Sequence, residues 1–347
     1  MRRQLARKVL SLCIVAGLAL GGGLAIAGGG KPPAPPAKPE IVYVRGDYFN
    51  TQLLVSLYVM DADGSHKTLL KAAKKAPKGY PESRPDTGYS LPSWSPDKKH
   101  IVVLEEDPYY TCSGPSIDGG GGPKVMKVLD IAVGTDGVPK VTGERTIVDC
   151  NDDYVGQFPA WSNDGLTIAY IYFNEIRTVP ADGSAPSSLL HTEEVCWGAC
   201  MKDLTWSPDS KRIAYTVDES RIEILDVASG IVTEALPSGT FAQLNRLDWS
   251  HDPAGRWILF KAEDASSPFH IYRFDPTPGA APPEVVCEAD ACGGWLMDVA
   301  WSTDDSHVVF ACSPCGSRER IWDHDTFTGA DSVLAASEVY HFSQPDM

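Results

Sequence analysis

The stretch KDLTWSPDSKRIAYTV, residues 202–217, decides the fold. A short strand ends at Trp206. Ser207, Pro208 and Asp209 then have the composition of a type I turn, and an alternating strand follows from Arg212. The Trp-Ser-x-Asp signature recurs along the chain, at Trp94, Trp161, Trp206, Trp249 and Trp301, and a Phe-Ser variant begins at Phe342. Consecutive copies are 67, 45, 43, 52 and 41 residues apart.

A period of about 40 to 50 residues with one aromatic signature per unit is typical of radial β-repeats. Four short strands can be assigned around most copies. The first unit lacks its opening strand and starts directly at residues 41–44. Residues 338–343, which follow the last complete unit, have the pattern of such an opening strand. We therefore predict an all-β fold, a six-bladed β-propeller of four-stranded antiparallel blades over residues 41–347. The C-terminal strand would close the ring by pairing with the N-terminal blade.

The first 27 residues have the pattern of a secretory signal peptide. Arg2, Arg3, Arg7 and Lys8 precede an apolar run, which ends in the small-x-small sequence Ala25-Ile26-Ala27. An uncleaved anchor helix is the alternative. Residues 28–40 are a Gly- and Pro-rich linker. The prediction is export to the periplasm, the cell surface or the extracellular space.

The formal net charge is −16, and it becomes −20 when the four positive charges of residues 1–27 are removed. Such acidity disfavours nucleic acid and anionic membrane surfaces, and it favours solubility, which is also its simplest explanation. We predict no nucleic-acid partner, no membrane insertion after signal cleavage, and a monomer.

Eight cysteines remain after residue 27, and an even number in an exported chain indicates disulfides. Their spacing favours the pairs Cys112–Cys150, Cys196–Cys200, Cys287–Cys292 and Cys312–Cys315. The sequence alone does not determine this connectivity. The CSPC segment at Cys312 has redox-motif spacing but lacks the helix that would activate a thiol, so a structural bridge is favoured.

Strand order separates two faces of such a fold. The turns between the first and second strands, and between the third and fourth, lie on one side and are mostly short; we call this the short-turn face. The remaining connections include the longest segments and lie near all eight cysteines; we call this the long-loop face. Loops on a rigid scaffold often carry recognition, so we predict binding there. The alternative is that long loops are simply cross-linked against proteolysis.

The candidate binding residues on the long-loop face fall into three groups. Exposed aromatic residues favour binding hot spots, and a neighbouring acidic pair could offer oxygens to a cation. The residue three before each motif aromatic lies near the central channel, and in three consecutive blades this residue is charged. The alternatives are that Trp197 packs on its own disulfide and that the channel charges are a mutual ion-pair cluster. The candidates are Tyr109, Tyr110, Tyr154 and Trp197; Asp152 and Asp153; and Asp203, Arg246 and Asp298.

The WSPD turn, the IAY-like strand and the segment LYVMDADGS, residues 57–65, together resemble the TolB-type propeller repeat. The resemblance covers residues 41–346 and implies an exported six-bladed propeller. TolB itself carries an α/β domain ahead of its propeller, whereas only the short linker precedes the first strand here. The expectation is therefore a TolB-like propeller rather than TolB.

No G-x-S-x-G, H-E-x-x-H or P-loop sequence is present, and the histidines are scattered. We therefore expect a non-catalytic exported scaffold that engages a protein or cell-envelope partner, with no cofactor and no metal. The resemblance also implies an alternative, a metal-dependent polysaccharide lyase or another glycan-active propeller enzyme. A purely structural envelope module is a third possibility.

Overall fold

The computed structural model describes residues 38–49, 52–74, 87–106, 112, 125–151, 153, 155–194, 200–264, 267–287, 294–314, 320–336 and 342–346. All of them belong to the compact unit Pro36–Met347. Their regular secondary structure is entirely β, in 24 strands. Within these ranges no helix has the length and apolarity needed to cross a membrane.

Four sheets contain four antiparallel strands each, and they correspond to units 3 to 6 of the repeat. Unit 3 is β8 (Gln157–Trp161), β9 (Thr167–Tyr172), β10 (Glu175–Pro180) and β11 (Ser188–Thr192). Unit 4 is β12 (Met201–Trp206), β13 (Arg212–Val217), β14 (Arg221–Asp226) and β15 (Val232–Leu236). Unit 5 is β16 (Gln243–Trp249), β17 (Ile258–Asp264), β18 (Ser267–Phe274) and β19 (Glu284–Cys287). Unit 6 is β20 (Gly294–Trp301), β21 (His307–Pro314), β22 (Arg320–Asp325) and β23 (Asp331–Ala336).

Units 1 and 2 form one eight-stranded sheet. Unit 1 is β1 (Ile41–Phe49), β2 (Gln52–Met60), β3 (Thr68–Lys71) and β24 (Phe342–Asp346), and unit 2 is β4 (Thr87–Trp94), β5 (His100–Glu106), β6 (Val125–Val133) and β7 (Pro139–Asp149). A short parallel contact joins them, with Leu54 opposite Thr87 and Val55 opposite Gly88. Gly88 has φ +146°, and a Cβ at this position would lie 2.1 Å from the Val55 carbonyl oxygen. Only glycine therefore permits this approach.

The end of the chain pairs with its first strand. β24 runs antiparallel to β1, with Ser343 opposite Val44 and Phe342 opposite Arg45. The sequence predicted this pairing over residues 338–343; the strand observed is residues 342–346. β24 also contacts β20 of unit 6 and β4 of unit 2. The first strands of neighbouring units otherwise contact in chain order, β4 with β8, β8 with β12, β12 with β16 and β16 with β20.

Each hydrophobic cluster lies between two adjacent units, as expected of a repeat whose units bury their faces against neighbours. Met126 of unit 2 and Tyr170 of unit 3 share one cluster. Leu57 of unit 1 packs in a cluster with Trp94 of unit 2. Ile41 of unit 1 is in a cluster with Val309 of unit 6. Unit 1, which contains the first and the last strand, thus shares one apolar cluster with unit 2 and another with unit 6.

The Ser and Asp of the motif stabilise the turn that follows the first strand. Ser207 is fully buried, and its Oγ accepts the Arg212 N–H at 2.9 Å while donating to Asp209 Oδ1 at 2.6 Å. Asp209 in turn accepts the Lys211 N–H. The same Ser–Asp hydrogen bond occurs at Ser95, Ser162 and Ser302. The repeat is therefore explained by turn stability rather than by chemistry.

The motif tryptophan links neighbouring units. Trp161 Nε1 donates to the Ser93 carbonyl at 3.2 Å, and Trp206 Nε1 donates to the Ala160 carbonyl at 3.2 Å. In both cases the acceptor directly precedes the aromatic residue of the previous unit. Trp249 differs, since its indole N–H bonds to Gly255 within its own turn. The tryptophans thus combine apolar burial with a directional link between sheets.

Candidate binding site between the inner strands

An irregularity interrupts the first strand of units 2 to 6, three residues before the motif tryptophan. The pairing register shifts there in β4, β8, β12 and β16, and one residue earlier, between Leu296 and Asp298, in β20. Leu91, Phe158, Asp203 and Arg246 have φ between 46° and 61°, which is uncommon for residues other than glycine. Such bulges re-aim a side chain. All four residues, together with Asp298 of β20, line one cavity.

Asp203 and Arg246 form a directly bonded pair across β12 and β16. Asp203 Oδ2 accepts the Arg246 backbone N–H at 3.0 Å, and Asp203 Oδ1 accepts Nη1 of the same residue at 3.2 Å. The Asp203 side chain is 7% exposed and that of Arg246 is 27% exposed. Burial lowers the pKa of Arg246, but the Asp298 and Asp203 carboxylates outweigh it and raise that pKa overall. Arg246 is therefore a fixed positive charge.

Asp298 occupies the equivalent place in β20. Among the described residues, the hydrogen bond to its carboxylate comes from the Val299 N–H, at 3.0 Å, and no side chain donates to it. Burial raises the pKa of Asp298 to about 6, and the negative charge of Asp203 adds to this, whereas Arg246 and Lys261 oppose it. Asp298 is half-buried, and it lines the cavity.

Lys261 on β17 is the fourth charged group of the cluster. It is 8% exposed, and its Nζ lies 4.3 Å from the centre of the Phe269 ring. Burial lowers the pKa of Lys261 to about 8, and Arg246 lowers it further. Sequence reasoning missed this residue. The available signal was a lysine inside RWILFKA, a strand whose other residues from Ile258 to Ala262 are all buried on both faces.

The cavity has a volume of about 340 Å³, at the small end of ligand-binding cavities. Its walls combine the charged residues with Leu91, Phe158 and motif tryptophans. At the short-turn face it is bordered by Lys98 and His251. Burial lowers the pKa of His251, but its hydrogen bond to Asp305 and the Asp248 charge raise it overall. The site can thus bind a small polar group against an apolar wall.

The other predicted contact residues divide into two sets. The carboxylate of Asp153 is bonded within the fold. Its Oδ2 accepts the Ser187 N–H at 2.9 Å, and its Oδ1 lies 3.7 Å from the Arg177 guanidinium. Asp203, Arg246 and Asp298 are brought together as charged neighbours. The remaining candidates lie outside the described residues and stay predictions: Tyr109, Tyr110, Asp152, Tyr154 and Trp197.

The Cys112–Cys150 disulfide is present, with 5.4 Å between the Cα atoms. It joins the connection after β5 to the residue that follows β7, both on the long-loop face. Cys200 and Cys312 are also disulfide-bonded. Their predicted partners Cys196 and Cys315, and Cys292, lie outside the described residues, so these three pairings remain predictions.

A second cluster of possible ligands lies outside the cavity. Cys287, His324 and Asp331 each offer a ligand atom within 4.8 Å of the others. His324 Nδ1 is already 2.8 Å from Asp331 Oδ1. Cys, His and Asp are zinc-type ligands. A Cys287–Cys292 disulfide would remove the sulfur ligand, so this group and the predicted bridge exclude one another.

Comparison with known proteins identifies the fold. No family model and no curated protein matches the sequence. Among solved structures, TolB from Acinetobacter baumannii aligns with a TM-score of 0.63 at 16% identity, covering 89% of this chain and 66% of that one. This chain has a TolB-like β-propeller fold. It spans slightly less than two thirds of that TolB.

Two further structures share the TolB-like propeller. The putative TolB from Agrobacterium tumefaciens has a TM-score of 0.51 at 17% identity, over 78% of this chain and 84% of that chain. Oligogalacturonate lyase from Vibrio parahaemolyticus has a TM-score of 0.52 at 12% identity, over 88% of this chain and 81% of that chain. Proteins named TolB and a protein named a lyase therefore align with this chain, and the fold alone does not determine its function.

Proposed function

We propose that this TolB-like propeller is an exported, non-catalytic binding scaffold that engages a protein or cell-envelope partner on its long-loop face. The observation that supports this proposal is the group of Asp203, Arg246 and Asp298 on first strands, which the long-loop connections lead into. The cavity that these residues line also extends to the turns of the short-turn face. The bulged strands hold these side chains at fixed positions. Fixed charges beside an apolar wall favour selective binding, because little freedom is lost on association.

The short-turn face is less suited to this role. Asn163 donates to the Ser207 carbonyl, and the His251 and Asp252 N–H groups donate to Asp305. The polar groups of these turns are thus used to fasten adjacent units. The Cys112–Cys150 bridge, by contrast, restrains connections on the long-loop face. A disulfide is also compatible with an oxidising compartment, which supports export.

The proposal includes a closed ring of six blades. Its support is the pairing of β24 with β1, the contact of β24 with β20 and β4, and the cluster shared by Ile41 and Val309. In this arrangement β24 is the inner strand of the first blade. Closure would leave no unpaired inner edge around the cavity.

The binding role is tested by capture from a cell-envelope extract. Immobilised wild-type protein is compared with Arg246→Ala and with Arg256→Ala, whose arginine is 59% exposed at the short-turn face. We expect a specific partner to be retained by wild type and Arg256→Ala and lost with Arg246→Ala. Equal retention by all three would contradict binding at the cavity. Circular dichroism checks that each variant is folded.

A glycan-degrading enzyme is the second candidate, in keeping with the lyase that shares the fold. The observation that favours it is the presence of Asp298 with a raised pKa and Lys261 with a lowered pKa in one cluster. Opposed shifts of this kind occur in acid–base pairs. Turnover of an acidic oligosaccharide to unsaturated products, abolished by Asp298→Asn but not by Asp182→Asn, would favour the enzyme over the scaffold.

A further inference from the structure

We infer that the cavity binds its ligand through a primary ammonium or guanidinium group placed on the Asp298 carboxylate. This inference deepens the proposed binding function and depends on the cavity being the place of binding. It concerns the chemistry of the ligand, which the proposed function leaves open.

Asp298 has hydrogen-bonding capacity that the described residues do not use. Its carboxylate accepts the Val299 N–H, and this single bond leaves most of its acceptor capacity unused among the described residues. The side chain lines the cavity. A buried carboxylate is strongly stabilised by a directly bonded cation, so a cationic ligand would gain affinity here.

Two protein cations, Arg246 and Lys261, lie near Asp298. Arg246 donates to Asp203, through Nη1 and through its backbone N–H, and it does not donate to Asp298. Lys261 lies over the Phe269 ring. Both lower the pKa of Asp298 through space without hydrogen bonding to its carboxylate. Because Asp298 lines the cavity and no described side chain donates to its carboxylate, a cation that enters the cavity can reach it.

The remaining charges favour a cation as well. The cavity is lined by the carboxylates of Asp203, Asp248 and Asp298 and by the cations of Lys98 and Arg246. Asp248 accepts the Trp301 N–H at 2.6 Å, so it is used within the fold. The net charge of the whole chain, −16, adds attraction for a positive ligand at long range.

Part of the cavity wall is apolar. Leu91 and Phe158 lie at positions equivalent to Asp298 in β4 and β8, and they face the same cavity. They would contact the aliphatic or aromatic part of a ligand whose charged end lies on Asp298. A volume of about 340 Å³ accommodates a lysine or arginine side chain of a partner, or a small free amine.

Titration calorimetry with three probes tests the inference: the capped tripeptide acetyl-Gly-Lys-Gly-amide, the free diamine cadaverine, and the dianion glutarate as the charge-reversed control. We expect at least one amine to bind, and to bind at least tenfold more weakly to Asp298→Asn. Asp182→Asn removes the same charge from an exposed turn and should bind as wild type does.

The pH dependence gives an independent readout on the unmodified protein. Protonation of Asp298 removes the charge that holds the amine, and its pKa is about 6. The surrounding titratable groups are Asp203, Arg246, Lys261 and, nearer the short-turn face, His251. Amine affinity should fall about tenfold between pH 7 and pH 5, and Asp298→Asn should show little of this change.

Each outcome is decisive. Binding of the tripeptide alone identifies a partner side chain as the source of the cation, and binding of cadaverine alone identifies a small amine. Tighter binding of glutarate, or no amine binding up to about 20 mM, overturns the inference. Amine binding without partner capture would contradict the scaffold function but not the inference. Partner capture without amine binding would contradict the inference but not the scaffold function.

Discussion

Arg246 contacts Asp203 through two separate donors, its backbone N–H and its guanidinium Nη1. The backbone bond is possible because the bulge places Arg246 at φ 61° and directs its N–H at the neighbouring strand. One carboxylate therefore fixes both the main chain and the side chain of the next unit. The pair links units 4 and 5 where the cavity lies.

Arg246→Ala should lower the free energy of unfolding by about 2 kcal/mol, because Asp203 is left buried without its charged partner. The loss is smaller than for a fully buried pair, since the Arg246 side chain is 27% exposed. Urea denaturation measures it, and Arg256→Ala serves as the control. A double variant, Asp203→Asn with Arg246→Ala, should recover part of the loss; if it does not, the carboxylate is not the cause.

Asp298 should make stability depend on pH in the direction opposite to that of a salt-bridged carboxylate. Its folded-state pKa, about 6, lies above the ordinary value of 3.8. The stabilisation by the bound proton is fully present below about pH 4 and is lost as the pH rises through about 6. The unfolding free energy of wild type, taken relative to that of Asp298→Asn, should therefore decrease by about 2 kcal/mol from pH 4 to pH 7. A difference that stays constant across this range would contradict the raised pKa.

Ser207→Ala should destabilise the propeller by about 1 to 2 kcal/mol, because the Arg212 N–H and Asp209 each lose a partner inside the turn. Thermal or urea unfolding measures the change. Ser238→Ala, at an exposed position, is the matched control and should stay within about 0.5 kcal/mol of wild type. If both substitutions lowered the free energy of unfolding equally, the hydrogen bonds of the turn would not explain the motif serine.

Paired cysteines at Val44 and Ser343 should form a disulfide, because these residues lie opposite each other in β1 and β24. Mass spectrometry after proteolysis identifies the cross-link. Closing a loop that spans nearly the whole propeller should raise the denaturation midpoint, and a reductant should reverse this. The pair Val44→Cys and Ser238→Cys is the negative control. Failure of the first pair to cross-link would contradict the ring.

The strands and the contact between Asp203 and Arg246 could be anticipated from the sequence for identifiable reasons. Alternating segments such as RIAYTV, residues 212–217, fold as β13, and the fixed offset from the motif tryptophan brings Asp203 and Arg246 together. The offset did not reveal the left-handed backbone at these positions, because no glycine or asparagine marks it. It also gave no indication that β2 and β4 would merge two units into one sheet, which depends on Gly88 approaching Val55.

The site could be predicted only in part. Lys261 belongs to the second strand, so a search along first strands does not find it, and its contribution depends on burial between sheets. Asp153 was predicted at the binding face by its loop position, but Ser187 and Arg177 occupy its carboxylate. Composition identifies a polar residue in a loop, but it does not reveal which partners that residue already has.

The third position of the Trp-Ser-x-Asp signature is the one that varies, and two of its side chains reach the adjoining turn. Asn163 bonds to the Ser207 carbonyl, and His251 bonds to Asp305. The Ser207 carbonyl is a backbone group that every unit offers, whereas an aspartate at the position of Asp305 occurs only in unit 6 among the Trp-Ser-x-Asp copies. Although the units share one repeat pattern, unit 5 is therefore matched to unit 6, and a gene that placed a different unit after unit 5 would lose the contact between His251 and Asp305.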